Sequence, residues 1–298
     1  MKIVTVATKS DRYFPYLEES AKRYDHDFVI LAWGKEWKGL GWKFKLMREY
    51  LESLPSNELI CFIDGYDVIL LEDPKTIEDK YNRFTGGDKT KVLCAIDRSC
   101  GTDLDKTIIN LWMSFYFYKM DNITVNSGTY IGYSSTLLEI YNSMCKEFTC
   151  DDYTDDQNIL QQYILKHKSQ FIIDKESEVF LVSLSVFSKV SPGHDNILIE
   201  NNKLKFNGKS PSMLHAPNYT DIDDVIESLG YDMTPFRSRN KDRSEYIIQY
   251  SKGIILDLYK RYYYILICIL ILIVALVLSK IYKINIMKKI GSIFRRKR

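Results

Sequence analysis

Short apolar runs alternate with amphipathic stretches through the first two thirds of the chain. The runs have the length and the β-branched and aromatic content of buried strands. They cover residues 2–8, 27–32, 59–63, 91–96, 129–133 and 180–184. This alternation predicts an α/β domain in which helices cover both faces of a mostly parallel central sheet.

The stretches between these runs have the period of amphipathic helices. The predicted helices cover residues 11–24, 42–54, 74–84, 135–148 and 155–168. Pro74 suits a first helical turn, and Ser135 and Asp155 suit N-caps. Residues 174–209 are less regular, and the turn signals Pro192-Gly193 and Asn207-Gly208 predict a small hairpin or a β extension there.

The pattern changes near the carboxyl terminus. Residues 1–230 are predicted to form the folded domain, 231–260 a polar linker, 261–279 a transmembrane helix and 280–298 a basic tail. The apolar run is about 18 residues long, and a bilayer span needs roughly 17–25. Its aromatic and cationic flanks resemble interface anchors. We therefore expect a single-pass C-terminal anchor with the domain in the cytosol, the lumenal side being the alternative.

Composition and charge limit the classes of function. The formal net charge is only +2, which gives no reason to expect a nucleic-acid partner. The six cysteines contain no Cys-x-x-Cys pair, so a zinc site is not expected. We expect them to be free thiols, which favours a reducing compartment.

The most informative segment is Asp64-Gly65-Tyr66-Asp67, which follows the apolar run 59–63. Ligands bind at the carboxyl ends of strands in open α/β sheets, so two carboxylates here could hold a hard divalent ion such as Mg²⁺ or Mn²⁺. Gly65 would allow a close approach of the backbone. A capped turn after a core strand has the same spacing, and the spacing alone favours that reading.

Several other polar positions could complete such a site. Lys43 and Lys45 follow the turn Gly39-Leu40-Gly41 and could meet a pyrophosphate, although helix lysines are usually solvated. The remaining candidates precede a strand, open a helix or follow an apolar pair; they are Asn126, Asp155, Asp156 and His215. Each has a structural alternative, because Asn126 suits a turn, the two aspartates suit a helix start, and a lone histidine is more often structural.

Taken in order, these segments resemble the glycosyltransferase domain of procollagen lysyl hydroxylases and related collagen-type transferases. The resemblance extends over about residues 2–220. It is carried by the segments Thr5-Val6-Ala7-Thr8, Glu36-Trp37-Lys38-Gly39, Lys43 to Met47, Phe62 to Leu70, Asn126-Ser127-Gly128, Ile131-Gly132, Asp155-Asp156-Gln157 and His215. Two departures are that Tyr153-Thr154 interrupts the family's run of aspartates and that Ala216-Pro217-Asn218 replaces its glycine-rich segment.

The resemblance implies a GT-A-type, Rossmann-like fold and a UDP-sugar donor bound with Mn²⁺ or Mg²⁺. The implied metal ligands are Asp64, Asp67 and His215. The implied nucleotide contacts are Thr8, Lys43 and Tyr66, with Lys43 near the phosphates. The residues implied to line the sugar and acceptor side are Asn126, Asp155 and Asp156.

The expected activity is transfer of galactose or glucose from a UDP-hexose to a hydroxyl of a protein or glycan, such as hydroxylysine in a collagen-like protein. Three alternatives keep the same donor site. The chain could build a glycan, it could be a nucleotidyltransferase or a nucleotide-sugar hydrolase, or it could be a membrane-bound binding module without activity.

Overall fold

A computed structural model describes residues 1–116, 124–185 and 188–234, together with Tyr263, Ile267, Ile273 and Val274. The chain divides into two compact units, Met1–Ser238 and Arg239–Arg298, and the fold described below is that of the first. The predicted boundaries of the domain, linker and tail stay predictions.

The described residues of the first unit form eleven strands and seven α-helices. The strands are β1 (Lys2–Val6), β2 (Asp27–Leu31), β3 (Leu59–Asp64), β4 (Val68–Leu70), β5 (Val92–Ile96), β6 (Val125–Tyr133), β7 (Phe171–Ile173), β8 (Phe180–Val182), β9 (Ile197–Glu200), β10 (Lys203–Phe206) and β11 (Met213–His215). The helices are α1 (Phe14–Arg23), α2 (Trp42–Glu52), α3 (Pro74–Thr85), α4 (Asp103–Tyr116), α5 (Ser134–Glu147), α6 (Asp156–Lys166) and α7 (Asp223–Ser228). The predicted α/β class is therefore confirmed.

The central sheet has six strands in the order β2-β1-β3-β6-β5-β7. β1 pairs in parallel with both β2 and β3, and β5 pairs in parallel with β7. β6 lies between β3 and β5 and is antiparallel to both. Five strands thus run in one direction, and the start of β6 lies at the same edge as the ends of β3 and β5.

Hydrophobic residues cover both faces of this sheet, which explains why its strands read as continuous apolar runs. Val4 and Phe62 pack on one face against Met47 of α2 and other residues of α2, α5 and α6. Ile3 and Cys61 pack on the other face with residues of α1 and α3. Helices on both faces therefore hold the sheet and fix its carboxyl edge.

The described residues also form a second sheet, which has three strands. It has the strand order β4-β11-β8, in which β11 is antiparallel to β4 and parallel to β8. In this register His215 pairs with Val68, so the end of β11 lies next to the turn that follows β3.

The predicted hairpin in residues 174–209 is confirmed as the antiparallel pair of β9 and β10. Its turn is formed by Asn201 and Asn202, which both have positive φ, and not by Asn207-Gly208. Asparagine tolerates this left-handed backbone, as a tight hairpin turn requires.

The prediction that the cysteines are free thiols is wrong for two of them. Cys145, in the last turn of α5, forms a disulfide with Cys150. The chain turns back after α5, so the two Cα atoms are 5.3 Å apart, within the range of about 4.4–6.8 Å that a disulfide needs. Cys61, Cys94 and Cys100 are free.

No helix in the described residues is long and apolar enough to cross a membrane, and this finding overturns the predicted C-terminal anchor. A span needs roughly 17–25 helical residues. The longest helices described, α4 and α5, have 14 residues each. Residues 261–279, where the span was predicted, lie outside the described residues except for the four named above.

Candidate functional site

The candidate site lies where the central sheet meets the second sheet. Asp64 is the last residue of β3, Asp67 immediately precedes β4, and His215 is the last residue of β11. The intervening turn packs closely on β1, because a Cβ on Gly65 would lie 3.0 Å from both Thr5 Oγ1 and Val6 O. The absence of a side chain at position 65 therefore lets the turn that carries the two aspartates pack against β1.

Asp64, Asp67 and His215 form a compact set of metal-ligating atoms. One donor atom from each lies within 4.8 Å of the other two. The Nε2 atom of His215 is 3.3 Å from Asp67 Oδ1 and 3.8 Å from Asp64 Oδ2. The sequence-predicted metal ligands are thus brought together, with ligand atoms facing one another.

The histidine lacks the hydrogen bonds that a purely structural histidine normally has. His215 is 1% exposed, and neither ring nitrogen has a hydrogen-bond partner. Asp67 Oδ1 is also buried without one. Buried polar atoms without partners are costly, and a bound cation would be coordinated by Asp67 Oδ1 and by the ring nitrogen of His215 that faces it, Nε2.

Gly128 of β6 makes room for this cluster. A Cβ there would lie 2.4 Å from Asp64 Oδ2 and 2.5 Å from His215 Cε1. Real Cβ atoms essentially never approach other atoms so closely. The glycine in Asn126-Ser127-Gly128 is therefore required by the carboxylate and the imidazole.

The donor set fits a divalent cation of the Mn²⁺ or Mg²⁺ class. Two carboxylates supply hard oxygen ligands, and one imidazole is compatible with a transition metal such as Mn²⁺. Three protein ligands leave coordination positions for water or for phosphate oxygens.

The charges in the cluster shift the pKa values of its members in opposite directions. Burial by itself would lower the pKa of His215, but the nearby carboxylates of Asp67 and Asp64 outweigh it and raise the pKa. Burial would raise the pKa of Asp67, but His215, Arg12 and Lys43 lower it. The pocket therefore favours an ionised carboxylate next to a positive charge, as a cation site should.

Lys43 of α2 lies between two carboxylates. Its Nζ atom is 3.1 Å from Asp64 Oδ1 and 2.5 Å from Asp156 Oδ2, and the side chain is 8% exposed. Burial lowers the pKa of Lys43, but the two carboxylates outweigh that effect and the pKa is raised well above its usual range. Lys45, in contrast, is exposed and pairs with Glu49.

The turn before α2 contacts protein backbone. A Cβ on Gly39 would lie 2.2 Å from Asp152 O, and one on Gly41 would lie 1.9 Å from Asp151 O. The two glycines thus allow this turn to pack against the loop that leads into α6. That contact holds the starts of α2 and α6 side by side, which is why Lys43 and Asp156 meet.

The two adjacent aspartates at the start of α6 differ in their contacts. Asp155 is the N-cap of the helix, and its Oδ1 accepts a hydrogen bond of 3.0 Å from Asn158 N. Asp156 is buried and pairs with Lys43. Asp155 therefore makes the helix-capping contact that the sequence offered as its structural alternative.

Asn126 of β6 belongs to a partly buried hydrogen-bonded group that includes Asp97, a residue not predicted from the sequence. Asn126 Nδ2 donates to Asp97 Oδ1 over 2.9 Å, and Gln157 Nε2 donates to Asp97 Oδ2 over 2.7 Å. Burial raises the pKa of Asp97, and these two hydrogen bonds partly offset the rise. Asp97 directly follows β5, as Asp64 ends β3, so its position after an apolar run was a usable signal.

An open cleft adjoins the metal-ligand cluster. Five of the predicted site residues line it, namely Thr8, Lys43, Asp64, Tyr66 and Asp67. Its volume is about 390 Å³, within the range of roughly 300–1,000 Å³ typical of small-molecule sites. Thr8 N donates to Tyr66 Oη over 2.9 Å, which fixes the tyrosine at the cleft wall.

The chain is similar to one described protein family and to several of its members. The sequence model of the PLOD GT domain matches residues 1–220. A multifunctional procollagen lysine hydroxylase and glycosyltransferase of Caenorhabditis elegans is 25% identical over 235 residues, which cover 73% of this chain and 31% of that protein. Procollagen-lysine,2-oxoglutarate 5-dioxygenase 2 of Mus musculus is 26% identical over 223 residues, covering 70% of this chain and 27% of that protein. The chain spans less than a third of the length of these relatives.

Two solved structures show a low overall similarity. A glycosyltransferase involved in glycosylation of the major capsid of PBCV-1 has a TM-score of 0.41 at 12% identity, covering 77% of this chain and 98% of that one. The galactosyltransferase LgtC, solved with donor and acceptor sugar analogues, has a TM-score of 0.39 at 15% identity, covering 61% of this chain and 76% of that one.

Proposed function

The chain belongs to the PLOD GT domain family, the glycosyltransferase domain of procollagen lysyl hydroxylases, and on that premise we propose that it transfers a hexose from a UDP-sugar to a hydroxyl acceptor. The observation that carries the proposal is the metal-ligand cluster of Asp64, Asp67 and His215 beside an open cleft. A buried imidazole without hydrogen-bond partners, with its Nε2 facing two carboxylates, is explained by a cation bound among the three side chains.

In this proposal Asp64, Asp67 and His215 hold Mn²⁺, or Mg²⁺ in its place. When bound, the cation supplies positive charge to the diphosphate that leaves from the sugar. Gly128 keeps the ligand atoms in reach, because a side chain at that position would displace two of the three ligands.

We assign Thr8 and Tyr66 to the nucleotide, since both line the cleft and are joined by a hydrogen bond. Lys43 faces the same cleft, but its charge is balanced by Asp64 and Asp156. Its proposed role is therefore to position the metal ligand Asp64, with any phosphate contact secondary.

The sugar and the acceptor are assigned to the side formed by β5, β6 and α6. Asn126 and Asp156 lie there, and Asp155 orders that side by capping the helix. Asp97 joins them through its hydrogen bonds to Asn126 and Gln157. Carboxylates and amides in these positions can orient hydroxyl groups and stabilise positive charge that develops on the sugar.

The proposed donor is UDP-galactose or UDP-glucose, and the proposed acceptor is hydroxylysine in a collagen-like sequence. The acceptor is supported by the Caenorhabditis elegans relative, a longer protein that is a multifunctional procollagen lysine hydroxylase and glycosyltransferase. A glycan acceptor would use the same donor site.

The test uses the full chain with a panel of UDP-sugars, Mn²⁺ and a collagen-like peptide that contains hydroxylysine. We expect UDP release together with a peptide mass increase of one hexose, and loss of both with EDTA or in an Asp64→Asn plus Asp67→Asn variant. The matched control is Asp79→Asn, an exposed aspartate that pairs with Lys75 on α3.

Each outcome of this test distinguishes the proposed function from one alternative. A peptide with lysine in place of hydroxylysine should gain no hexose. UDP release with the sugar transferred only to water would identify a nucleotide-sugar hydrolase. UDP release that survives in the double aspartate variant would contradict the metal role, and no release with any UDP-sugar would leave a binding module.

A further inference from the structure

Three cationic side chains line the described part of the cleft, and two of them have Nζ within 3.1 Å of a carboxylate oxygen. Lys43 lies between Asp64 and Asp156. Lys9 is 71% exposed and pairs with Asp11 over 3.0 Å, so it is mostly solvated. The third is Arg12, which the sequence analysis did not select.

Arg12 is held firmly at the cleft without being fully satisfied by the protein. Its guanidinium lies 3.8 Å from the centre of the Tyr219 ring, and Nη1 is 3.5 Å from Asp67 Oδ2, a long distance for a hydrogen bond. The side chain is 18% exposed, and its Nη2 is buried and has no hydrogen-bond partner. A stacked guanidinium with spare donors is prepared to bind an anion.

The backbone around Arg12 also holds it at this position. Arg12 has a φ of 49°, which is strained for a residue with a side chain. Its N–H donates to Asp11 Oδ1 over 2.9 Å, and the next residue, Tyr13, donates through its N–H to Tyr66 O. The loop after β1 is therefore tied to the turn that carries Tyr66 and Asp67.

Without Arg12, the formal charges of the site would not offset the negative charge of a bound diphosphate. In formal charges, the two carboxylates of the metal-ligand cluster would offset one divalent ion, and Lys43 is already paired with Asp64 and Asp156. A nucleoside diphosphate would then add negative charge to a site that has no net positive charge without Arg12. Arginine suits this task because its planar fork can bind two phosphate oxygens at once.

We infer that Arg12 binds the diphosphate of the nucleotide donor and holds the nucleoside diphosphate as it leaves, with the Tyr219 ring fixing the plane of the guanidinium. The inference rests on the proposed function, because it assumes that the cleft takes a nucleoside diphosphate. It assigns to Arg12 the phosphate contact that the sequence had suggested for Lys43.

The test measures the affinity of the full chain for uridine, UMP and UDP by calorimetry in the presence of Mn²⁺. Arg12→Ala should weaken UDP binding by about 10–100-fold, as expected for loss of charge-assisted hydrogen bonds, and should change uridine binding by less than about 3-fold. Arg12→Lys should fall between the two, because it keeps the charge but loses the fork.

The matched control is Arg23→Ala. Arg23 stacks on Tyr231 with its Cζ 3.7 Å from the ring centre, the same type of contact as that of Arg12, and neither of these residues lines the cleft. This variant should bind UDP with wild-type affinity, and thermal unfolding of all variants shows that each is folded.

Mn²⁺ affinity distinguishes direct binding from an effect through Asp67. Loss of a positive charge 3.5 Å from Asp67 should leave Mn²⁺ binding unchanged or slightly tighter while UDP binding weakens. If Arg12→Ala and Arg12→Lys bind UDP as the wild type does, or if the loss is equal for uridine and UDP, the inference is overturned while the proposed function stands. If the wild type binds no UDP with Mn²⁺, the proposed function fails and the inference fails with it.

Discussion

Replacing Gly128 with alanine should damage the metal site while leaving the fold largely intact. The added Cβ would lie 2.4 Å from Asp64 Oδ2 and 2.5 Å from His215 Cε1, whereas ordinary contact begins at 3.4 Å. The carboxylate and the imidazole must therefore move apart from β6 by about 1 Å, a displacement that can cost ~100-fold in rate when it misplaces reacting groups. His215 is 1% exposed and has little room to move, so most of the shift falls on Asp64.

The assay is Mn²⁺ binding, followed by electron paramagnetic resonance of the free ion, together with UDP release from the UDP-sugar. We expect Mn²⁺ affinity to fall by about 10–100-fold, as when groups that orient metal ligands are removed. The free energy of unfolding in urea should fall by about 1–3 kcal/mol, the usual cost of overpacking.

Gly132→Ala is the matched control, because it makes the same substitution on the same strand. Its added Cβ would meet the side chains of Val92 and Leu137 at 3.0 and 3.1 Å, so it should lower stability without changing Mn²⁺ affinity. Wild-type Mn²⁺ affinity in Gly128→Ala would refute the view that this glycine exists to seat the ligand atoms.

Three further predictions concern stability. In urea unfolding, Lys43→Met should lower the free energy of unfolding by about 3–5 kcal/mol, because it leaves two carboxylates without their cation. The control Lys45→Met should lower it by less than about 1 kcal/mol. Equal losses in the two variants would contradict the structural role of Lys43. The double variant Cys145→Ser plus Cys150→Ser should lose ~2 kcal/mol, the value expected for a loop of about six residues, and reductant should destabilise only the wild type. Burial lowers the pKa of His26, so the folded protein favours the neutral imidazole. The free energy of unfolding should therefore fall as the pH falls below the unfolded pKa of about 6.5. In urea unfolding, His26→Gln should lose less of this free energy than the wild type between about pH 7.5 and 5.5.

The sequence was informative where a segment of five or more residues packs a regular apolar face into the core. All six strands and all five helices predicted from apolar periodicity are present, because each of those segments packs into the core. The helix α4 was missed for the opposite reason: Leu104, Ile108 and Leu111 are exposed while Ile109 and Met113 are buried, so apolar residues occur on both sides and blur the period.

The candidate site could be predicted only in part, because it depends on pairings between distant segments. Asp64 and Asp67 are local to one turn and could be placed together from the sequence. His215 joins them only because β11 pairs with β4 in a register that sets His215 opposite Val68. Asn126 lies at the same edge because β6 runs antiparallel to its neighbours. The direction of a strand cannot be read from its own apolar pattern.

The contact of Gly39 and Gly41 with the backbone of Asp151 and Asp152 has an evolutionary consequence. Neither glycine can gain a side chain unless the partner loop moves, since the added Cβ would lie about 2 Å from a carbonyl oxygen. The two segments are therefore expected to change together among descendants of this chain. Grafting the loop from a homologue to alter acceptor choice should succeed only when the glycine turn is transplanted with it.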